Sequence, residues 1–122
     1  MSDASLDDTP ADRPKLVYPF AALPERAQRL EVAPGVRWIR MPLPYALNHI
    51  NLWALDDGDG WALVDTGVRT DDGVAAWREI FANAPDHRSL TRVFVTHLHP
   101  DHVGMAGWLT RKFGIRLWMT RL

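Results

Sequence analysis

Thr96-His97-Leu98-His99-Pro100-Asp101-His102 is the stretch on which the reading of this chain turns. Three of the chain's five histidines and one carboxylate fall within six residues, directly behind the apolar run Val93-Phe94-Val95. Imidazole nitrogen and carboxylate oxygen together are the ligand set of zinc and related divalent metals. A strand projects residues i and i+2 to one side, so His97 and His99 converge on one ion if the strand runs that far. Pro100 ends the strand and leaves Asp101 and His102 at the mouth of the next helix, turned relative to the first pair. That arrangement suits a second ion. In two-metal sites the ions lie about 3.5–4 Å apart, and a water between them loses a proton near neutral pH to become a nucleophile. The helix dipole also favours an ionised Asp101 in the first turn. The competing reading is a histidine-rich surface turn without metal. It suits a lone histidine better than four ligand-type residues set between an apolar strand and a helix. Zinc is the first choice, and iron or manganese fits the same ligand types.

Working outward, Val103–Phe113 has a helical pattern with Gly114 as its C-cap, and Ile115–Leu122 reads as a further strand. Upstream, Leu90–Val95 reads as a strand, with Val93-Phe94-Val95 suggesting burial on both faces. Asp71–Ala84 predicts an amphipathic helix: Val74, Trp77, Ile80 and Phe81 recur at helical spacing, Asp71 or Asp72 is the candidate cap, and Pro85 lies beyond the end. Asn48–Leu55 and Trp61–Asp65 read as a hairpin joined by Asp56-Asp57-Gly58-Asp59-Gly60, residues that tolerate positive φ. That acidic loop lacks the twelve-residue spacing and closing Glu of an EF-hand, so a solvated turn is the better account. Pro42–Asn48 reads as a loop, Val36–Met41 as a strand after the Pro34-Gly35 turn signal, and Glu25–Leu30 as a short helix with Pro24 in its first turn. The order of elements predicts an α/β fold with the histidine stretch at the carboxyl end of a strand, where such sheets bind ligands.

Val64-Asp65-Thr66-Gly67 lies where the second hairpin strand leaves the sheet. Asp65 has two readings: a turn cap bonding amides two residues on, or a carboxylate behind a histidine ligand. His49 and His87 stand apart from the stretch and read as structural or solvated.

Composition sets outer bounds. At 122 residues the chain is about one small domain, and residues 1–15, acidic and poor in large apolar side chains, are expected to form a disordered tail ahead of a domain over 16–122. A net charge of −1, with basic residues scattered among acids, argues against nucleic acid as a partner. No apolar run approaches the length of a membrane span, and the acidic start is unlike a secretory signal, so a cytoplasmic protein acting on a small molecule is expected. With no cysteine, disulfides, Cys-ligated zinc and thiol nucleophiles are excluded. The six tryptophans are read as packing residues.

Thr96 to Gly104 resembles the H-x-H-x-D-H signature of the metallo-β-lactamase superfamily of metal-dependent hydrolases. Val64-Asp65-Thr66-Gly67 resembles the family's earlier Asp motif, and the likeness covers roughly residues 36–122. It implies the N-terminal half of an αββα sandwich, a mixed sheet with a hairpin and two helices. It further implies a site for two divalent metal ions, zinc foremost. His97 and His99 would hold the first, and Asp101 and His102 the second. Asp101 would also position and deprotonate the attacking water, while Asp65 and Thr96 would support the ligands from behind. The family's later His, bridging Asp and final His have no counterpart here. The chain is therefore expected to be an N-terminal fragment with impaired activity, its exposed sheet face calling for the missing half or for self-association. Among the family's reactions, thioester hydrolysis of the glyoxalase II type is the first expectation for the parent protein, with ester and lactone hydrolysis next. The rivals are a non-catalytic metal-binding or interaction module that retains half of the site, and a phosphodiester hydrolase of the same fold.

Overall fold

The computed structural model describes residues 14–83 and 88–121. The tail assigned to residues 1–15 lies almost wholly outside the described residues, as do His87, Ala84 and Leu122. Six strands form one sheet in sequence order: β1 (Arg29–Ala33), β2 (Val36–Pro42), β3 (His49–Asp57), β4 (Gly60–Val64), β5 (Leu90–Val95) and β6 (Arg116–Met119). The first four pair antiparallel, whereas β4–β5 and β5–β6 pair parallel. Parallel neighbours need crossovers. Helix α1 (Asp71–Ala82) supplies the first; a single helical turn α2 (Pro100–Val103) and helix α3 (Ala106–Phe113) supply the second. The mixed α/β architecture expected from the sequence is the one observed.

Hairpin β3–β4 closes on the pair Asp57↔Gly60, leaving Gly58 and Asp59 as a two-residue turn. Gly58 stands first in it with φ +60°, a conformation that a side chain disfavours and that turns of this length require. The strand leading into that turn is anchored. The Asp56 carboxylate accepts from Arg37 and Arg88 at 3.0 and 2.8 Å, and Asp57 accepts from the Thr91 hydroxyl at 2.5 Å.

One face of the sheet carries the core. Ile39, Met41, Leu52, Trp61, Leu63 and Val93 pack under Trp77 and Ile80 of α1 and Leu109 of α3, all essentially excluded from water. Among the described residues the opposite face has no such cover. Trp38 and Trp53 stack there with centroids 6.2 Å apart, and Phe94 meets Trp118 at 6.4 Å. Trp53 and Trp118 remain 37% and 46% exposed, far above a buried core tryptophan. Phe94 is accordingly only half-buried, so β5 is not covered on both faces as its apolar run suggested.

Three local expectations are corrected. Residues 25–30 do not form a helix: Ala27 takes φ +62°, which interrupts a right-handed helix, and from Arg29 the chain pairs with β2 across the Pro34-Gly35 turn. The cap of α1 is Thr70, whose hydroxyl accepts from the Gly73 amide at 2.9 Å; Asp71 and Asp72 follow in the first turn. The helix assigned to Val103–Phe113 is split. Met105 gives its N–H to Thr66 Oγ1 and Gly67 O, at 3.0 and 3.1 Å, instead of to the preceding helical turn. A ladder bond is thereby diverted, and α2 and α3 become separate elements.

Candidate metal centre

The site is assembled where β4 and β5, parallel neighbours, leave the sheet side by side. Asp65 follows β4 and Thr96 follows β5, so their parallel pairing brings residues 31 positions apart into contact. Asp65 adopts φ +65°, a left-handed conformation that Asp tolerates better than most residues. Its carboxylate is almost completely buried and fully bonded. Oδ1 accepts from the Thr96 amide at 2.8 Å, and Oδ2 lies 2.9 Å from the Thr96 hydroxyl and 2.8 Å from His102 Nδ1.

Those contacts favour one assignment of the protons on two imidazoles. With the Asp65 carboxylate as acceptor, His102 donates from Nδ1 and keeps its lone pair on Nε2. With the Thr96 hydroxyl donating to Asp65, Thr96 Oγ1 accepts from His97 Nδ1, 2.9 Å away, and the His97 Nε2 lone pair lies beside His99 Nδ1. Histidines that bind metals are oriented in this manner by an acceptor behind the ring.

The presented donors form two pairs. His97 Nε2 lies 3.1 Å from His99 Nδ1, close to the edge of a tetrahedron whose corners are about 2.0–2.1 Å from a central zinc. His102 Nε2 lies 3.6 Å from Asp101 Oδ2. The rings of His97 and His102 are 3.9 Å apart, so the pairs adjoin. Among the described residues, no three His, Asp or Glu side chains gather in a geometry that would hold one ion. The donor set thus fits divalent metals chemically, as two half-sets. A cleft of about 410 Å³ opens beside them, lined by His97, Leu98, His99, Met119 and Thr120.

The sequence placed Asp65, Thr96, His97, His99, Asp101 and His102 as candidates, and the structure brings all six together. His49 stays apart, its ring bonded to Asn48 Oδ1 at 3.1 Å, and burial together with Arg40 lowers its basicity. Sequence reasoning missed Thr66, Trp77 and Gly104. Thr66 is wholly buried yet bonds to the backbone of both His102 and Met105. Gly104 lies so close to the 67–69 segment that a Cβ would stand 2.9 Å from Gly67 O and from Arg69 N. Only the adjacency of Thr66 to Asp65 hinted at any of this.

A strand-end cluster of His and Asp donors, backed by a buried carboxylate, stands on a mixed α/β sheet. The sequence profile of the metallo-beta-lactamase superfamily matches residues 46–122, and the chain belongs to that superfamily. Its structure is similar to a beta-lactamase domain protein from Burkholderia ambifaria, with a TM-score of 0.79 and 49% identity over 84% of this chain. A metallo-beta-lactamase family protein from Thermus thermophilus matches at TM-score 0.61 and 31% identity over 70% of this chain. A metallo-beta-lactamase from Pseudomonas aeruginosa in a mono-zinc form, 22% identical over 76% of this chain and 41% of its own, shares the fold at TM-score 0.56. The chain spans 33% and 29% of the length of the first two. No curated protein sequence matches it. Among the described residues, no helix is long and apolar enough to cross a membrane.

Proposed function

We propose that the parent protein is a metal-dependent hydrolase acting on a carbonyl ester, with a thioester of the glyoxalase II type first and other esters or lactones next. The two adjoining donor pairs, each backed by a bonded carboxylate or hydroxyl, carry this reading. His97 and His99 would hold one divalent ion, and Asp101 and His102 a second, with zinc best suited to the nitrogen-rich pair. Such ions, when bound, lower the pKa of water and polarise a carbonyl oxygen.

The chain's own residues supply the rest. Asp65 and Thr96 would keep the protons on the inner nitrogens, so that Nε2 of His97 and His102 keeps its lone pair for a metal ion. Asp101, acceptor-only when ionised, would take a proton from a water beside it and orient that water towards the cleft. Leu98 and Met119 offer an apolar wall next to the donors, which supports an acyl substrate over a phosphodiester. A phosphodiester would call for cationic side chains at the same place.

With half-sets of ligands, the 122-residue chain is proposed to bind metal weakly and to turn over slowly or not at all. Isothermal titration with zinc tests this. Weak uptake, in the micromolar range or above, is expected, and tight binding of two zinc ions per chain would sink the idea. Hydrolysis of a thioester panel by a longer protein containing this chain, set against lactones and phosphodiesters, tests the substrate class. A strict preference for phosphodiesters would overturn it.

A further inference from the structure

We infer that Thr66, itself held by Trp77, is the positioning residue that sets the place of the Asp101–His102 donor pair, independently of His97. This inference rests on the reading of the site as a metal centre. The donors are carried by different supports. His97 follows β5 and is held by its ring on Thr96, whereas His99 stands at the N-terminal end of α2, its carbonyl accepting from the His102 and Val103 amides. Asp101 and His102 lie on α2, a single turn that buries none of its four residues and has no side-chain cap. So short a helix does not hold its own geometry.

What holds it is Thr66. The Thr66 amide donates to His102 O at 2.9 Å, and its hydroxyl donates to the same oxygen at 2.7 Å. The hydroxyl then accepts from the Met105 amide at 3.0 Å. In an unbroken helix His102 O would receive the amide four residues on. Here the ladder is interrupted, and one buried hydroxyl serves both the orphaned carbonyl and the diverted N–H. Thr66 is in turn fixed from the far side, where Trp77 Nε1 donates to its carbonyl at 2.9 Å. Trp77 is wholly buried on α1, so the clasp runs from the core helix through Thr66 to the backbone of a candidate ligand. The Asp65 carboxylate, one residue away, meets the His102 ring. Backbone and side chain of His102 are therefore both gripped from the 65–66 dipeptide, whereas His97 is gripped only through its ring.

Thr66→Val keeps the shape and removes the hydroxyl, and Thr66→Ser keeps the hydroxyl. The experiment follows zinc additions to the labelled 122-residue chain by the NMR signals of the individual histidine rings, together with hydrogen exchange of the Met105 amide in metal-free protein. In Thr66→Val the apparent affinity reported by His102 is expected to fall about tenfold or more, the loss typical when an outer support of a metal ligand is removed. That reported by His97 is expected to stay within about twofold. Met105 exchange is expected to quicken at least about tenfold, with both effects reversed in Thr66→Ser. A purely structural role would lower the melting temperature and affect His97 and His102 alike, which would overturn the inference, as would unchanged His102 binding in a folded Thr66→Val protein. If Thr66→Val does not fold, Trp77→Phe, which keeps an aromatic ring but loses the indole N–H together with part of the buried ring system, reads the same split between His102 and His97. If wild-type protein shows no zinc response at any histidine, the metal reading fails. The clasp is then judged on Met105 exchange, and unchanged exchange would overturn it.

Discussion

Replacing Asp65 by Asn tests the centre of the proposed site with the least collateral change. Asn has nearly the same size and also tolerates the left-handed backbone, here φ +65°. Its amide oxygen can still accept from the Thr96 N–H that Oδ1 now serves at 2.8 Å. The second position becomes an NH2 group, which cannot accept from His102 Nδ1–H. His102 must then either leave that proton buried without an acceptor or shift it to Nε2. An unpaired buried polar group costs about 1–3 kcal/mol. The tautomer shift instead puts a proton where a metal ion would bind. Losing a ligand's supporting carboxylate commonly lowers metal affinity about 10–100-fold, or about 1.4–2.8 kcal/mol. Cobalt(II) titration against a chromophoric chelator measures the affinity, and thermal melting measures the stability. Asp65→Ala is expected to melt lower than Asp65→Asn, because Ala in the left-handed region costs about 1–2 kcal/mol more. Cobalt affinity of Asp65→Asn within twofold of wild type would refute the assigned tautomer and the role of Asp65.

Three further outcomes are expected. Gly104→Ala would place a Cβ 2.5 Å from Pro100 O and 2.9 Å from Gly67 O, backbone atoms that cannot swing aside, so a loss of about 1–3 kcal/mol is expected on melting. Gly107→Ala is its control, since the added Cβ meets only the end of the Arg111 side chain and should be neutral or stabilising. The uncovered face bearing Trp38, Trp53, Phe94 and Trp118 should make the 122-residue chain self-associate, measured by sedimentation, and Trp53→Lys with Trp118→Lys should shift it towards monomer. A monodisperse wild-type monomer would count against that. Acid stability follows from Asp56, whose pKa is held low by hydrogen bonds from Arg88 and then Arg37, and from Asp57, held low chiefly by the Thr91 hydroxyl. Depressed carboxylates stabilise the fold at any pH above their unfolded value, near 4, and that contribution disappears as pH falls through the folded value. The urea midpoint should therefore drop on acidification below about pH 4, and less steeply in Asp56→Asn; identical slopes would remove these carboxylates from the account.

Much of this protein was legible in its sequence because the signals were local. Leu90–Val95 is a strand with the limits its apolar run suggested, and Gly58 sits in the turn that its neighbours announced. The ligand-type residues were legible too, because His97, His99, Asp101 and His102 occupy one short stretch whose strand-then-helix setting follows from Pro100. Strand β1 was not legible. Arg29–Ala33 alternates weakly and becomes a strand only because β2 stands beside it to take its hydrogen bonds. The break between α2 and α3 was hidden for a related reason. The residues there are acceptable in a helix, and it is Thr66 and Gly67, some 39 positions upstream, that draw away the Met105 amide.

The sequence by itself therefore determined the central strands, the hairpin, the long helix and which side chains are offered for chemistry, since periodicity, turn residues and ligand type are properties of neighbours along the chain. The tertiary structure alone decided how those side chains are aimed. Parallel pairing of β4 with β5 sets Asp65 against Thr96 and His102, and the resulting hydrogen bonds favour ring protons on Nδ1 of His97 and His102. The contacts of Asp65 with Thr96 and His102 join residues more than thirty positions apart, and no local pattern encodes them.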